Sequence, residues 1–183
     1  MGDKGKAIFG IVFVIALFTG ALIFASHIQD NESVKGLITS FGPFGIFIVA
    51  LAGGLNLFVP VPATAFIPIF SAAGFSLAMI IPLIVIGTTI ADLVGFYIGT
   101  VLRPHVDKRK NKIYRAVQKW CEGRPYVTQA VVFIYASIVP LPNELLLIPL
   151  GALGIKLRTL ILAFVAGNII HVTLLAYGLT SLL

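Results

Sequence analysis

Residues 138–154 read IVPLPNELLLIPLGALG, and this proline-interrupted apolar stretch decides the predicted fold. Residues 125–155 contain one charged residue, Glu144, and basic residues flank both ends of this range. About 31 residues are too few for two crossings of about 20 residues each, and a single crossing would put the basic ends on opposite sides. We therefore expect a re-entrant hairpin that turns at Pro140 and Pro142, where proline removes backbone donors and disfavours helix in the preceding residue.

The same pattern occurs earlier in the chain. Residues 58–75 read FVPVPATAFIPIFSAAGF, and residues 59–100 align without gaps with residues 139–180 at an offset of 80. The alignment predicts that each copy is a hairpin followed by a crossing helix, near 40–77 and 79–102 in the first copy and ending with 157–181 in the second. The most specific identities join Pro60 to Pro140, Pro62 to Pro142, Gly74 to Gly154, Gly87 to Gly167 and Tyr97 to Tyr177.

Composition places the chain among integral membrane proteins. Of its 183 residues, 58% are hydrophobic and 11% are charged, which excludes an ordinary soluble enzyme, a disordered protein and a nucleic-acid binder. The single cysteine, Cys121, and the scattered His27, His105 and His171 give no metal-binding cluster. We expect neither a metal nor a cofactor.

The amino-terminal segment is interpreted as a retained transmembrane helix. Its apolar residues 7–26 span about 20 positions, the length of one crossing, whereas a cleaved signal peptide, the alternative, usually has a shorter core. Residues 27–36, with Asp30, Glu32 and Lys35, are predicted to form an external loop.

Charge bias sets the predicted orientation. The positive-inside rule puts the N-terminus and the basic loop 103–124 in the cytoplasm and the C-terminus outside. The fold class is therefore an all-α membrane protein in which an N-terminal unit, 1–36, precedes a transport domain, 37–183. That domain is an inverted repeat of a re-entrant hairpin plus a transmembrane helix, with repeats at 40–102 and 125–181, an architecture typical of transporters. The loop contributes the basic residues Arg103, Lys108, Arg109, Lys110, Lys112, Arg115, Lys119 and Arg124.

Two acidic residues fall within apolar segments. Asp92 lies near the middle of the helix predicted at 79–102, where an unpaired carboxylate costs at least a few kcal/mol. Asp92 is interpreted as an acid that binds a headgroup or a proton, with helix packing as the alternative. For Glu144 at the second tip, a functional acid and a residue placed only to stabilise the helix start stay equally open.

The tips offer capping residues and helix ends. Asn143 is expected to cap the half-helix after Pro142, and Thr64 the half-helix after Pro62. The N-terminal amides of these half-helices favour anions such as the phosphate of a lipid headgroup. The alternative is that the prolines only turn the chain.

Other polar and small residues form a second tier. Asn168 and His171 on the last helix are expected to hydrogen-bond across helices, with proton relay the less favoured role of His171. Gly95 and Gly99 form a face for close helix packing, with dimerisation into a homo-oligomer as the alternative. An interfacial amphipathic helix is predicted at 113–120, as an anchor or, alternatively, a collector of anionic lipid.

Four of these segments together resemble the DedA family, which shares its membrane domain with the VTT-domain (SNARE-associated Golgi protein-like) proteins. The first Pro-rich segment and IVPLPNELLLIPLGALG are similar to the two re-entrant loops of the family, ADLVGFYIGT to its G-D-x-x-x-Y-x-x-G helix, and FVAGN to the following helix. The resemblance covers about residues 40–180. It implies a transporter of lipids such as polyprenyl phosphates or phospholipids, with proton-linked behaviour, in the plasma membrane of a prokaryote.

The resemblance supports Asp92, Asn168 and the four tip prolines, yet this chain departs from the family pattern. Ala63 and Thr64 stand where an acidic residue is common, and arginines of the second loop are replaced around Tyr135 and Asn143. Without those arginines, phosphate binding would fall to helix ends or to a basic rim. That rim comprises Arg103, Lys156 and Arg158.

The leading hypothesis is therefore a non-enzymatic protein that translocates or scrambles lipids with polar headgroups, through a groove between the two hairpins. The alternative is a proton-coupled exporter of small cationic compounds, suggested by two acids within apolar segments. A lipid phosphatase lacks support, because the sequence has no paired histidines with arginine, no serine elbow and no metal cluster. A scaffold acting through residues 103–124 is the remaining alternative.

Overall fold

Helices make up the regular structure of the described part of the chain, which contains no strand. The predicted helix at 7–26 and the amphipathic helix at 113–120 lie outside the described residues except at single positions, and Pro60 and Pro140 lie outside them entirely. The computed structural model describes residues 31–55, 61–105, 125–139 and 141–182, with single positions at 12, 15, 16, 18–20, 22–24, 26, 115 and 119.

Short helices alternate with two long ones. In chain order they are α1 (Glu32–Ser40), α2 (Gly42–Gly54), a 3₁₀ turn (Ala63–Phe66), α3 (Ile67–Ala72), α4 (Leu77–Leu102), a second 3₁₀ turn (Arg103–His105), α5 (Pro125–Ile138), α6 (Glu144–Leu153) and α7 (Leu157–Thr180).

Only α4 and α7 among the described helices are individually long and apolar enough to cross a membrane. A third crossing is available if α1 and α2, bent by 78° at their junction, form one broken span. The apolar helices α5 and α6 and the segment Ala63–Ala72 are shorter. These lengths and compositions fit a membrane protein with two or three crossings in the described residues.

The loop conformation predicted for residues 27–36 is wrong over residues 32–36, because α1 begins at Glu32. Asn31 caps this helix: its Oδ1 accepts a hydrogen bond of 3.1 Å from the Val34 amide. Glu32 lies in the first turn, where a carboxylate is favoured, and its Oε1 lies 2.8 Å from the Lys35 Nζ. The Asn-Glu pair that reads as loop by its polarity is therefore a helix start.

The two tips share a backbone pattern at the offset of 80. Pro62 accepts a hydrogen bond from the Ala65 amide at 3.0 Å, and Pro142 accepts one from the Leu145 amide at 3.1 Å. Each Pro-x-Pro segment therefore leads into one tight turn before its second half-helix.

The second half-helices also end alike. Gly74 has φ +101° and Gly154 has φ +75°, values that favour glycine over other residues. In both copies the following residue, Phe75 or Ile155, donates its amide to the carbonyl five residues earlier. The glycine coincidence in the sequence thus marks two equivalent helix ends.

The short helices of each copy pack against both long helices, α4 and α7. In the first copy α2 packs along α4, and the 3₁₀ turn and α3 contact α7. In the second copy α5 packs along α7, and α6 packs along α4. The first arm of each copy thus lies on its own long helix and the second arm on the other copy's long helix.

The core is divided in the same way. One buried cluster joins α2, the first tip, α4 and α7, and it includes Ile46, Ala63, Ile67, Ile84 and Val172. The second joins α5 and α6 to α4 and α7, and includes Phe96, Val132, Leu147, Leu150 and Phe164. Each tip therefore lies at one of two separate apolar clusters.

Candidate functional site

The second tip meets α4 at Asp92. Asp92 is on the inward face of α4, which buries residues at helical spacing from Ile80 to Gly99, and only 2% of Asp92 is exposed. The Asn143 Nδ2 donates a hydrogen bond of 3.1 Å to the Asp92 Oδ2. Residues 51 positions apart are thus joined by a polar contact between a half-buried amide and a buried carboxyl group.

Glu144 adds a second carboxyl group to this contact. Its exposed fraction is also 2%, and a Cβ placed on Gly95 would lie 3.1 Å from the Glu144 Cγ. Because Gly95 is one turn beyond Asp92 on α4, the Glu144 side chain lies over the same face of the helix. The two carboxyl groups are close enough for their charges to interact. Asp92, Asn143 and Glu144 are called the tip-two site below.

Glycines bring the second tip this close. A Cβ on Gly99 would overlap the Ile148 carbonyl group, and a Cβ on Gly151 would overlap the Phe96 carbonyl oxygen. The face predicted at Gly95 and Gly99 therefore does pack closely against a helix, and that helix is α6 of the same chain.

Tyr135 completes the surroundings of the acids. Its hydroxyl donates a hydrogen bond of 3.0 Å to the Pro142 carbonyl. The same hydroxyl lies within electrostatic range of the carboxyl groups of Asp92 and Glu144. From the sequence alone, Tyr135 is notable only as a residue in the region where the DedA family usually has arginines. Its seven-residue separation from Pro142 across a helix end carried no pattern that predicted the contact.

The capping role expected of Asn143 is wrong. Asn143 occupies the N-cap position of α6 but makes no capping hydrogen bond, because its side chain is directed to Asp92. The amide of Leu145 is bonded to the Pro142 carbonyl, and those of Leu146 and Leu147 to the Asn143 carbonyl. These amides are not directed at a ligand, contrary to the expected phosphate-binding helix end.

The first tip has a different environment. Thr64 lies inside the 3₁₀ turn, and neither this turn nor α3 has a side-chain cap, so the capping role expected of Thr64 is also wrong. Thr64 is buried, and its neighbour Ala63 belongs to the apolar cluster that contains Val172. At the offset of 80, Ala63 and Val172 correspond to Asn143 and, on the long helix, Asp92.

Asn168 joins the two long helices beside the tip-two site. Its Nδ2 lies 3.0 Å from the Thr88 Oγ1 and 3.2 Å from the Thr89 Oγ1, and the residue is buried. Thr88 is one turn before Asp92 on α4. The predicted hydrogen bond across helices is confirmed for Asn168.

His171 makes the second predicted contact between helices. Its Nδ1 is 3.3 Å from the Ser137 carbonyl oxygen, a contact that joins α7 to α5 when Nδ1 carries the proton. The packing role of His171 is consistent with this contact, and its role in proton relay stays a prediction.

Comparison with known proteins identifies the domain. A family model described as the VTT domain matches residues 59–181, which include both tips, both long helices and the basic segment between the copies. This chain belongs to the VTT-domain family. No curated protein and no solved structure matches it.

The predicted DedA/VTT resemblance is therefore confirmed, and the VTT domain includes the complete tip-two site. Tyr135 and Asn143 stand in the region where the resemblance led us to expect arginines. Both residues are hydrogen-bonded, Tyr135 to the tip itself and Asn143 to Asp92. In this VTT domain, neutral donors occupy that region.

The basic rim lies away from the acids. Arg103, Lys156 and Arg158 are exposed, and the Arg103 guanidinium lies against Gly154 at the end of α6. Arg103 follows Asp92 by eleven positions, which corresponds to about 16 Å along the helix. The rim is therefore a separate surface of the VTT domain.

Proposed function

We propose that this VTT-domain protein moves lipids with polar headgroups across a membrane, as a translocating carrier or a scramblase of phospholipid or polyprenyl phosphate. The observation that carries the proposal is the hydrogen bond from the half-buried Asn143 to Asp92, which is buried among apolar helices. Intramembrane acids are costly and commonly mark pathways for ions or substrates. Transport, rather than covalent chemistry, is the role we assign to them.

The proposed topology is an inverted repeat of re-entrant hairpins. Its support is the matching backbone of the two tips and the exchange of second arms between α4 and α7, as a two-fold relation would produce. The charge bias of the sequence supports a cytoplasmic N-terminus and an external C-terminus. We propose a prokaryotic plasma membrane as the site of action because the resemblance to the DedA family implies it. Broken helices at mid-membrane are tolerated where they are buried in protein or line a polar path.

Within this topology the lipid headgroup passes the tip-two site while its chains stay in the bilayer. Asp92 and Glu144 bind the headgroup or exchange protons. Asn168 and His171 hold α7 in place beside them through their contacts with Thr88 and Ser137. The basic rim meets anionic headgroups at the cytoplasmic surface.

The test is a vesicle assay with the full-length protein. A fluorescent label on the acyl chain is quenched from outside by an impermeant reductant, so quenching beyond about half of the label reports movement between leaflets. We expect such quenching with the protein and slower quenching in Asp92→Asn, which keeps the shape of the side chain. Glu32→Gln is the matched control, because Glu32 is an exposed acid on α1, 87% exposed.

Quenching that stops at about half for both phospholipid and polyprenyl phosphate would refute the proposal. Full activity of Asp92→Asn would refute the role of Asp92 while leaving lipid movement intact. Slower quenching in Glu32→Gln as well would assign the effect to net charge rather than to the tip-two site.

A second candidate function is proton-coupled export of small cationic compounds. The observation that favours it is Asp92, whose Oδ1 is buried and accepts no hydrogen bond from the described residues. A proton flux that responds to an added organic cation and disappears in Asp92→Asn or Glu144→Gln would support this function. A flux unchanged by the cation would exclude it.

A further inference from the structure

We infer that the tip-two site recognises the ammonium group of its substrate, and that the lipids this protein moves carry a primary amine in the headgroup. This inference builds on the proposed lipid movement and adds the chemical class of the headgroup. It follows from which donors and acceptors at the tip are already engaged.

The acceptor that needs a donor is the Asp92 Oδ1. Asp92 is 2% exposed, and among the described residues this oxygen has no hydrogen-bond partner, whereas Oδ2 accepts from Asn143. A buried oxygen without a donor is costly, and most such atoms in proteins are satisfied. A ligand that donates a hydrogen bond at this point would remove the cost.

The chain supplies no basic side chain from the segments that form the site. Residues 36–102 and 125–155 contain neither lysine nor arginine, and Arg103 lies about 16 Å from Asp92 along α4. A positive charge that pairs with Asp92 from within these segments is therefore excluded by the sequence. The site is left to a cation that comes from outside them.

Several donors at the tip are engaged, which disfavours an anion. The Tyr135 hydroxyl donates to the Pro142 carbonyl, and the Asn143 amide donates to Asp92. The backbone amides of Leu145, Leu146 and Leu147 are bonded to carbonyls of the tip. A phosphate placed here would meet two carboxyl groups and few available donors, whereas an ammonium group brings three N–H donors and a positive charge.

The equivalent position on the first tip offers no second site. Val172 and Ala63 occupy the positions of Asp92 and Asn143, and both belong to a buried apolar cluster. Among the described residues of the two tips, the ammonium group therefore has one recognition point. Because both carboxyl groups are buried, access to it requires that the second tip separate from α4.

The experiment compares three acyl-labelled lipids in vesicles that contain the full-length protein. The first is phosphatidylethanolamine, the second is the same lipid with its amine acetylated, and the third is phosphatidylglycerol. Acetylation removes the positive charge while keeping the phosphate and the chains. We expect the amine lipid to move about tenfold faster than either of the others, the size of effect that a lost charge-assisted hydrogen bond produces.

A variant tests whether the preference arises at the tip-two site. In Asp92→Asn we expect the ratio of rates between the amine lipid and its acetylated form to fall to about one, because the negative partner is gone. In Glu32→Gln the ratio should match that of the unaltered protein. A reduced rate with an unchanged ratio in Asp92→Asn would overturn the inference, since a purely structural role changes the rates alike.

The outcomes separate this inference from the proposed function. Equal rates for the three lipids, or faster movement of phosphatidylglycerol, would refute ammonium recognition and leave lipid movement standing. No movement of any lipid, combined with uptake of radiolabelled ethanolamine, would refute lipid movement and assign the ammonium chemistry to a small cation. No movement of lipid or amine would refute both.

Discussion

The two tips follow the same Pro-x-Pro turn and end at an equivalent glycine, yet in the described residues only the second tip carries an acidic residue. The second tip presents Asn143 and Glu144 to Asp92, whereas the first presents Ala63 and Thr64 near the position of Val172. The backbone pattern is thus independent of the chemistry that it carries. A repeated frame allows one copy to stabilise the fold while the other holds a costly polar site.

The tips also differ in how closely they pack. The helix α6 approaches α4 along Gly95 and Gly99, where a Cβ on Gly95 would meet the Glu144 side chain and a Cβ on Gly99 would overlap the Ile148 carbonyl group. On α7 the corresponding positions are Leu175 and Leu179, and α3 makes less contact there. Small residues on the long helix therefore allow the backbone of α6 to approach α4 closely, whereas the corresponding positions on α7 carry leucine.

The largest effect is expected from placing the acid on α7, at the position beside the first tip that corresponds to Asp92. Val172→Asp puts a carboxyl group into an apolar cluster without a donor, and we expect it to destabilise the fold by about 3 kcal/mol. Thermal stability in detergent, followed by size-exclusion chromatography, measures the loss. The reciprocal Asp92→Val should stay folded, because the second tip loses a buried acid. Equal stability of Val172→Asp and the unaltered protein would mean that the first tip is also a polar site.

The close packing of the second tip is tested at Gly99. Gly99→Val inserts a side chain where the Ile148 carbonyl lies, and overpacking of this kind costs about 1–3 kcal/mol. Gly178→Val on α7 is the control, since a Cβ at Gly178 meets nothing within 4 Å. We expect a lower unfolding midpoint in detergent for the first variant alone. Equal midpoints would show that α6 is not held against α4 by this contact.

The hydrogen bond of Tyr135 is expected to have a smaller effect, confined to the second tip. Tyr135→Phe removes the bond to the Pro142 carbonyl, which stabilises the tip by about 1 kcal/mol. Cysteine placed at Leu141 should then react faster with an impermeant thiol reagent, and cysteine at Val61, its counterpart on the first tip, should not change. Faster reaction at both tips would indicate a general loosening of the fold instead.

The smallest effect is expected at Asn168. Asn168→Val breaks a hydrogen bond between α7 and α4, and such bonds between membrane helices are worth about 0.6 kcal/mol on average. Thr88 keeps its bond of 2.8 Å to the Ile84 carbonyl, which limits the cost. The measurement is the unfolding midpoint in detergent of Asn168→Val compared with that of Leu162→Val, because Leu162 is exposed. A loss several times larger would place Asn168 in the tip-two site itself.

Much of the fold could be predicted because its signals are local. Proline, glycine and apolar length predicted the breaks and the helices α4 and α7 to within a few residues, and the offset of 80 predicted which turns are equivalent. The start of α1 was missed because Asn31 and Glu32 read equally as loop or as cap. For Asn143 the sequence favoured the cap, and a partner 51 residues earlier in the chain took its side chain instead.

Sequence alone determined that the chain enters a membrane, that its helices break at paired prolines and that no basic residue lies in the segments carrying Asp92 and Glu144. These properties depend on composition and on the backbone preferences of single residues. Only the tertiary structure decided that Asn143 bonds to Asp92, that Tyr135 bonds to the tip and that Ala63 packs in an apolar cluster with Val172. Such contacts depend on which helix faces pack together, and close packing at Gly95 and Gly99 brings the second tip against Asp92.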